Sequence, residues 1–175
     1  MSGAAGASIH ASAVLVGARA VLIRGPSGAG KSRLAFDLIL AGRTGQIPPA
    51  VLVGDDRVHL WAGAGQLMVG PAPRLSGLIE VRGLGIRRCA FAAEASLGLV
   101  VDLAASDAER LPAPEKLLTR IHGVEVPRIP VESGFAALPL VVAMLTTTES
   151  TETASFSTDC AKGIGNHMRP SIATE

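Results

Sequence analysis

Short apolar runs separated by turn-forming residues set the pattern of this chain. Residues 8–16 have the character of a strand, and residues 20–24 (Ala-Val-Leu-Ile-Arg) repeat it after a Gly17-Ala-Arg19 turn. So short a link leaves no room for a parallel crossover, which predicts a hairpin of residues 13–16 with residues 20–23. Beyond it the period changes. Leu34, Ala35, Leu38 and Ile39 recur at helical spacing, and Gly42 is placed to end that helix. Residues 44–49 read as a loop, and residues 51–53 and 58–61 as strands flanking Asp55-Asp56. Residues 63–73, rich in Gly and Pro, predict another loop. Residues 78–86 alternate like a strand, 97–102 form a buried-type strand, and 124–131 are strand-like. Residues 107–120 are polar with two prolines, and residues 134–144 predict a closing helix despite Pro139. From Thr146 onward the chain turns Thr- and Ser-rich without a period. That composition predicts a disordered tail over residues 146–175, with a partner-docking peptide as the alternative.

Bulk properties narrow the function. At 175 residues the chain suits one domain that buries roughly two-thirds of its unfolded surface. Sixteen basic residues against fifteen acidic ones leave a net charge of +1, and four Phe with one Trp supply few stacking platforms. Nucleic acid is therefore not an expected partner. The longest apolar stretch, residues 134–145, contains Pro139 and is shorter than the ~18 residues of a spanning helix, so no membrane partner is expected either. The start, Met-Ser-Gly-Ala-Ala-Gly, carries no charged and apolar leader pattern, and Cys89 and Cys160 are too few for a disulfide framework. These features predict a cytoplasmic protein.

The chemistry begins between the second apolar run and the helix. Gly25, Pro26, Ser27, Gly28, Ala29, Gly30, Lys31 and Ser32 fit G-x-x-x-x-G-K-[ST] without a gap. Small residues let successive backbone N–H groups curl around phosphate oxygens, the lysine brings a charge to the β- and γ-phosphates, and the serine hydroxyl ligates Mg²⁺. The strand–loop–helix setting supports a nucleotide site holding ATP and Mg²⁺.

Phosphoryl transfer also needs a carboxylate for the metal and a group to take the acceptor's proton. Asp55-Asp56 after an apolar run offers both roles at once, and either aspartate can serve as the base. A cation nearby relieves the repulsion of adjacent carboxylates. Asp102, at the end of another apolar run, has no partner and reads as a strand-end turn residue. Glu80 and Arg82 stand at alternating positions, which predicts one strand face carrying Glu80 toward the metal and Arg82 toward the transferred phosphate.

In their order along the chain, His10, the loop of residues 25–32, Asp55-Asp56 followed by Arg57-Val58, and Ile-Glu-Val-Arg-Gly-Leu-Gly-Ile over residues 79–86 resemble the catalytic domain of bacterial HPr kinase/phosphorylase. The Glu-x-Arg-Gly-Leu-Gly element is the distinctive one. The resemblance covers residues 8–145, without the family's N-terminal domain, as in short forms similar to those of alphaproteobacteria. It implies an α/β fold of the phosphoenolpyruvate-carboxykinase-like P-loop type, with a mixed sheet around the loop and its helix. It also implies an ATP- and Mg²⁺-dependent protein serine kinase acting on an HPr-type phosphocarrier protein, regulating carbon metabolism, and a homo-oligomer, a hexamer in the family. Carried over by position, Lys31 binds phosphate and Ser32, Glu80 and Asp56 hold the metal. One of Asp55 and Asp56 is the base, His10 is the site histidine, and Arg110 is a catalytic arginine. Arg33 and Arg87-Arg88 depart from the family's pattern. So does Ile-Pro-Val-Glu-Ser-Gly-Phe at residues 129–135, which lacks two basic residues linked to dephosphorylation and favours the kinase direction. A small-molecule kinase and a non-catalytic nucleotide-dependent regulator are the alternative readings.

Overall fold

The computed structural model of the chain describes residues 7–63 and 65–149. Eleven strands and two α-helices follow in the order β1 (Ile9–His10), β2 (Ser12–Val16), β3 (Arg19–Arg24), α1 (Lys31–Arg43), β4 (Ala50–Gly54), β5 (Arg57–Gly63), β6 (Gln66–Pro71), β7 (Leu78–Val81), β8 (Gly85–Arg88), β9 (Ala95–Leu103), β10 (Leu118–Ile121), β11 (Val124–Val131) and α2 (Ala137–Thr146). The class is α/β with a mixed sheet. Its path runs β1-β5-β6-β9-β3-β2-β4, and β11 joins β9 with β10 outside it. β3 and β11 both run parallel to β9, whereas β2, β4 and β6 lie antiparallel to their neighbours.

The predicted hairpin is present, with Ala13 opposite Leu22 and Val16 opposite Arg19. Because both faces of β2 and β3 are covered, the runs are apolar at successive positions rather than alternating. Val21, Ile23 and Val101 pack against Leu34 and Leu38 of α1 in one core, while Ala20 and Leu22 face a second core with Leu60, Val69 and Val100.

Helix α1 runs one residue beyond Gly42, which therefore does not end it. The stop is a Schellman arrangement, with Gln46 N–H donating to Ala41 C=O at 3.0 Å and Gly45 N–H to Gly42 C=O at 3.3 Å; Gly45 sits at φ +75°. Gly42 has a different reason to be glycine, since a Cβ there would stand 2.6 Å from the Ala50 backbone nitrogen.

Residues 63–73 are not a loop. Glycine and proline obscure a two-residue alternation in which Leu67 and Val69 are buried, and β6 pairs with β5. A Cβ at Gly70 would meet the Trp61 ring at 3.1 Å, so glycine here admits the indole. The polar stretch of residues 107–120 likewise ends in β10, which turns into β11 through His122 and Gly123 at φ +48° and +78°. Positive φ at both positions is the geometry of a tight two-residue hairpin. Residues 78–86 are two strands, with Glu80 opposite Ile86. Residues 8–16 break at Ala11, so that β1 pairs with β5 instead of β3. Pro139 lies in the first turn of α2, where its missing N–H costs no intrahelical bond. Among the described residues no helix is long and apolar enough to cross a membrane. Most of the expected tail, residues 150–175, lies outside the described residues.

Candidate active site

Binding sites in sheets with parallel strands gather where those strands end and their loops begin. Here the carboxyl ends of β3, β9 and β11 lie side by side. The loop of residues 25–30 leaves β3 at Gly25, whose φ of +147° and missing Cβ let it approach Leu103 C=O, 2.9 Å from where a Cβ would sit. Gly28 and Gly30 have φ of +81° and +97°. Helix α1 then starts at Lys31 with no side-chain cap and no acid in its first turn. Its first N–H groups and the positive end of its dipole are open to an anion.

Lys31 is buried and donates from Nζ to Gly25 C=O and Pro26 C=O, both at 2.9 Å. Burial pushes its pKa below the usual lysine value, although the nearby charges of Asp55 and Asp56 pull the other way.

Asp55 ties three segments together. Its buried carboxylate accepts from Ser12 Oγ at 2.6 Å and Ser32 Oγ at 2.9 Å on Oδ1, and from Glu80 N–H at 3.0 Å on Oδ2. Those donors lie on β2, the start of α1 and β7. Asp56 does the opposite and faces outward, with 65% of its side chain exposed, and His10 Nε2 stands 3.4 Å from its Oδ1. Arg57 N–H donates across Asp56 to Asp55 C=O at 2.8 Å while Asp56 has φ +67°. This is a γ-turn of the strained, left-handed kind, which a non-glycine residue adopts only where the surroundings hold it.

Glu80 brings its backbone to Asp55 and leaves its side chain exposed on β7. Arg82 does not share a strand face with it, because β7 ends at Val81 and Arg82 begins the turn into β8. Asp102 is not a turn residue without partners. It lies within β9 and accepts from Arg24 Nε at 2.6 Å and Arg128 Nε at 2.6 Å. Arg128 also donates to Asp107 Oδ2 and Oδ1, at 2.7 and 2.9 Å, and to Lys116 C=O at 3.1 Å. Burial opposes charge on Asp102, but the two arginines outweigh it and hold the carboxyl below its ordinary value. The Asp107 hydrogen bond does most to raise Arg128 far above the ordinary arginine range, and Arg128 lowers Asp107 in return. This cluster ties the loop of residues 104–117 to β9, β11 and Arg24, the residue before Gly25. Arg110 sits exposed on that loop and makes no ion pair among the described residues.

The sequence reading missed Ser12, Arg24 and Arg128. Arg24 had a visible signal, a charge closing an apolar strand immediately before Gly25; Ser12 and Arg128 are recognisable only through contacts distant in sequence. Arg33, noted as a departure, is exposed and pairs with Asp37 one turn along α1 at 3.8 Å. A cavity of about 270 Å³ lined by Arg19, Gln66, Leu97 and Glu125 lies at the opposite ends of the parallel strands and shares no residue with this group. Among the described residues no three His, Cys, Asp or Glu side chains converge as a closed metal cage.

Comparison with known proteins agrees with these motifs. The model of the HPr serine kinase C-terminal domain matches residues 3–161. HPr kinase/phosphorylase of Pediococcus pentosaceus is 42% identical over 80 residues, which are 45% of this chain and 23% of that protein. The same-named protein of Limosilactobacillus reuteri is 41% identical over 80 residues, again 23% of its length. The matched stretch thus spans less than a quarter of these relatives. The solved structure of the Hpr(Ser) kinase/phosphatase from Coxiella burnetii superposes with a TM-score of 0.63 and 26% identity, over 79% of this chain and 87% of that one.

Proposed function

Because the chain belongs to the HPr serine kinase C-terminal domain family, we propose that it is an ATP-dependent protein serine kinase whose acceptor is an HPr-type phosphocarrier protein. In this role it regulates carbon metabolism. Residues 8–145 form the catalytic domain, of the phosphoenolpyruvate-carboxykinase-like P-loop type. The observation that carries the reading is the Asp55 carboxylate, which bridges Ser32 of the phosphate loop and the Glu80 backbone while its neighbour Asp56 faces outward.

The donor set suits Mg²⁺. A hydroxyl, a buried carboxylate and an exposed carboxylate give a few hard oxygens rather than a full cage, and Mg²⁺ keeps waters and phosphate oxygens for its remaining positions. Ser32, Asp55 and Glu80 are the residues that would hold it. When bound, the ion neutralises charge on the terminal phosphates. The sequence leaves the base open between the two aspartates and places Asp56 with the metal; on the reading proposed here Asp55, the one bonded to Ser32, goes with the metal and Asp56 serves the acceptor.

The loop N–H groups and the open end of α1 hold the phosphates, and Lys31 adds its charge at the β- and γ-positions. Asp56 takes the proton from the acceptor serine as its oxygen bonds to the γ-phosphorus and the bond to the departing ADP breaks. General base catalysis of this kind contributes about 10²–10⁴-fold. His10 holds the Asp56 carboxylate in place, and the strained γ-turn fixes the backbone beneath it. Arg110, on the loop locked by Arg128, supplies charge to the transferred group.

Incubation with labelled Mg-ATP and an HPr-type protein tests this reading. Label on a serine of that protein supports it. Label passing instead to a member of a metabolite panel, or ATP binding without turnover, overturns it.

A further inference from the structure

The β7–β8 hairpin is rooted at the site and exposed beyond it. Ile79 is buried in the core beside α1, and Glu80 N–H is fixed to Asp55. Past that root the hairpin stands clear of the molecule: all four residues of β8 are exposed, and among the described residues β8 pairs only with β7. Two large apolar side chains point into solvent there, Leu84 at 67% and Ile86 at 64% exposure. Ile86 is the register partner of Glu80. Paired residues in an antiparallel ladder carry their side chains on the same face about 5 Å apart. The apolar surface therefore adjoins the carboxylate assigned above to the metal. Arg87 and Arg88 follow directly, opposite Ile79 and Leu78. Adjacent arginines on an open edge discourage pairing with another strand, so recognition here falls to side chains rather than to backbone addition.

We infer that Leu84, Ile86 and Arg88 form the docking surface for the protein acceptor, which presents an apolar patch bordered by acidic residues beside its reactive serine. The inference rests on the protein-kinase reading above. Charge complementarity selects the occupant: apart from Glu80, which is committed to the metal, the exposed end of the hairpin carries only positive charge. An apolar centre with a charged border is how a transient enzyme–protein contact gains both affinity and orientation. Rigid attachment to Asp55 lets docking on the hairpin deliver the serine to Asp56.

The test uses the full chain with Leu84→Ser/Ile86→Ser and, separately, Arg88→Ser. Transfer of labelled phosphate to the HPr-type protein is measured over a range of acceptor concentrations, and affinity for a fluorescent ATP analogue is measured alongside. The expected result is a KM for the acceptor raised about tenfold in each variant, with kcat and nucleotide affinity unchanged. The arginine variant should also lose most of the salt dependence of KM. An unchanged KM in both variants overturns the docking surface while leaving the kinase reading intact. So does a variant that changes only the oligomeric state on gel filtration, or only binding to vesicles of phosphatidylglycerol and phosphatidylcholine, since the occupant would then be a second copy or a lipid surface. Absence of transfer by the unmodified chain overturns both readings.

Discussion

Ser32 and Asp55, 23 residues apart, are joined by a direct hydrogen bond of 2.9 Å from Ser32 Oγ to Asp55 Oδ1. That bond couples the phosphate loop to the acid pair. The two aspartates differ: Asp55, which accepts from Ser12, Ser32 and Glu80, is buried, whereas Asp56 faces solvent.

Asp55→Asn should weaken the protein as well as Mg²⁺-dependent nucleotide binding. An amide offers one acceptor oxygen where three donors now converge, and its NH₂ group faces one of them. A buried donor left unpaired costs about 1–3 kcal/mol. Urea unfolding should show a loss of that size, and the benefit of Mg²⁺ for ATP binding should disappear.

The glycine-rich loop, the helix after it and the preceding hairpin were legible in the sequence because each is written in local spacing. The adjacent aspartates were legible too, but their contrasting environments were not, since the Ser12 and Ser32 bonds that bury Asp55 reach across 43 and 23 residues. Asp102 read as a residue without a partner for the same reason: its arginines are 78 and 26 residues away. β6 was hidden by the glycines and prolines around Leu67 and Val69. The pairing of Glu80 with Arg82 failed because two-residue alternation holds only while the strand lasts, and this one ends at Val81.

Gly42→Ala should destabilise the fold although it improves helix propensity. The propensity gain is about 1 kcal/mol. Against it stands a Cβ 2.6 Å from the backbone nitrogen of Ala50, a contact that α1 and β4 relieve only by moving apart. Overpacking of this kind costs about 1–3 kcal/mol, so the net change in thermal or urea unfolding should be a loss.

Arg128→Met should loosen the loop that bears Arg110. Asp102 would keep Arg24, but Asp107 would lose its main partner. Removing hydrogen bonds to charged groups at Asp102 costs about 1.5–3 kcal/mol. Faster proteolysis within residues 104–117, together with reduced kcat, is the expected signature.

The same cluster sets an acid limit. The Asp102 carboxyl is held below its unfolded value near 4, so its contribution to stability is complete above roughly pH 4 and is lost as pH falls through the folded pKa. Asp102→Asn should flatten the fall in stability between neutral and acid pH, read from urea midpoints.

Lys31 responds in the alkaline range. Burial lowers its pKa, so in the free protein it releases its proton at a lower pH than an exposed lysine with a value near 10.4. Affinity for ATP should accordingly begin to decline below that pH, and Lys31→Ala should bind weakly at every pH.

Transfer of labelled γ-phosphate to an HPr-type protein by the unmodified chain and by Asp56→Asn, each saturated with Mg-ATP, tests the central claim most directly. The account predicts phosphoserine with the unmodified chain and a loss of about 10²–10⁴-fold in kcat for the variant, with ATP affinity retained. Full activity of Asp56→Asn would contradict the assignment of the base, and no phosphoserine with the unmodified chain would contradict the kinase itself.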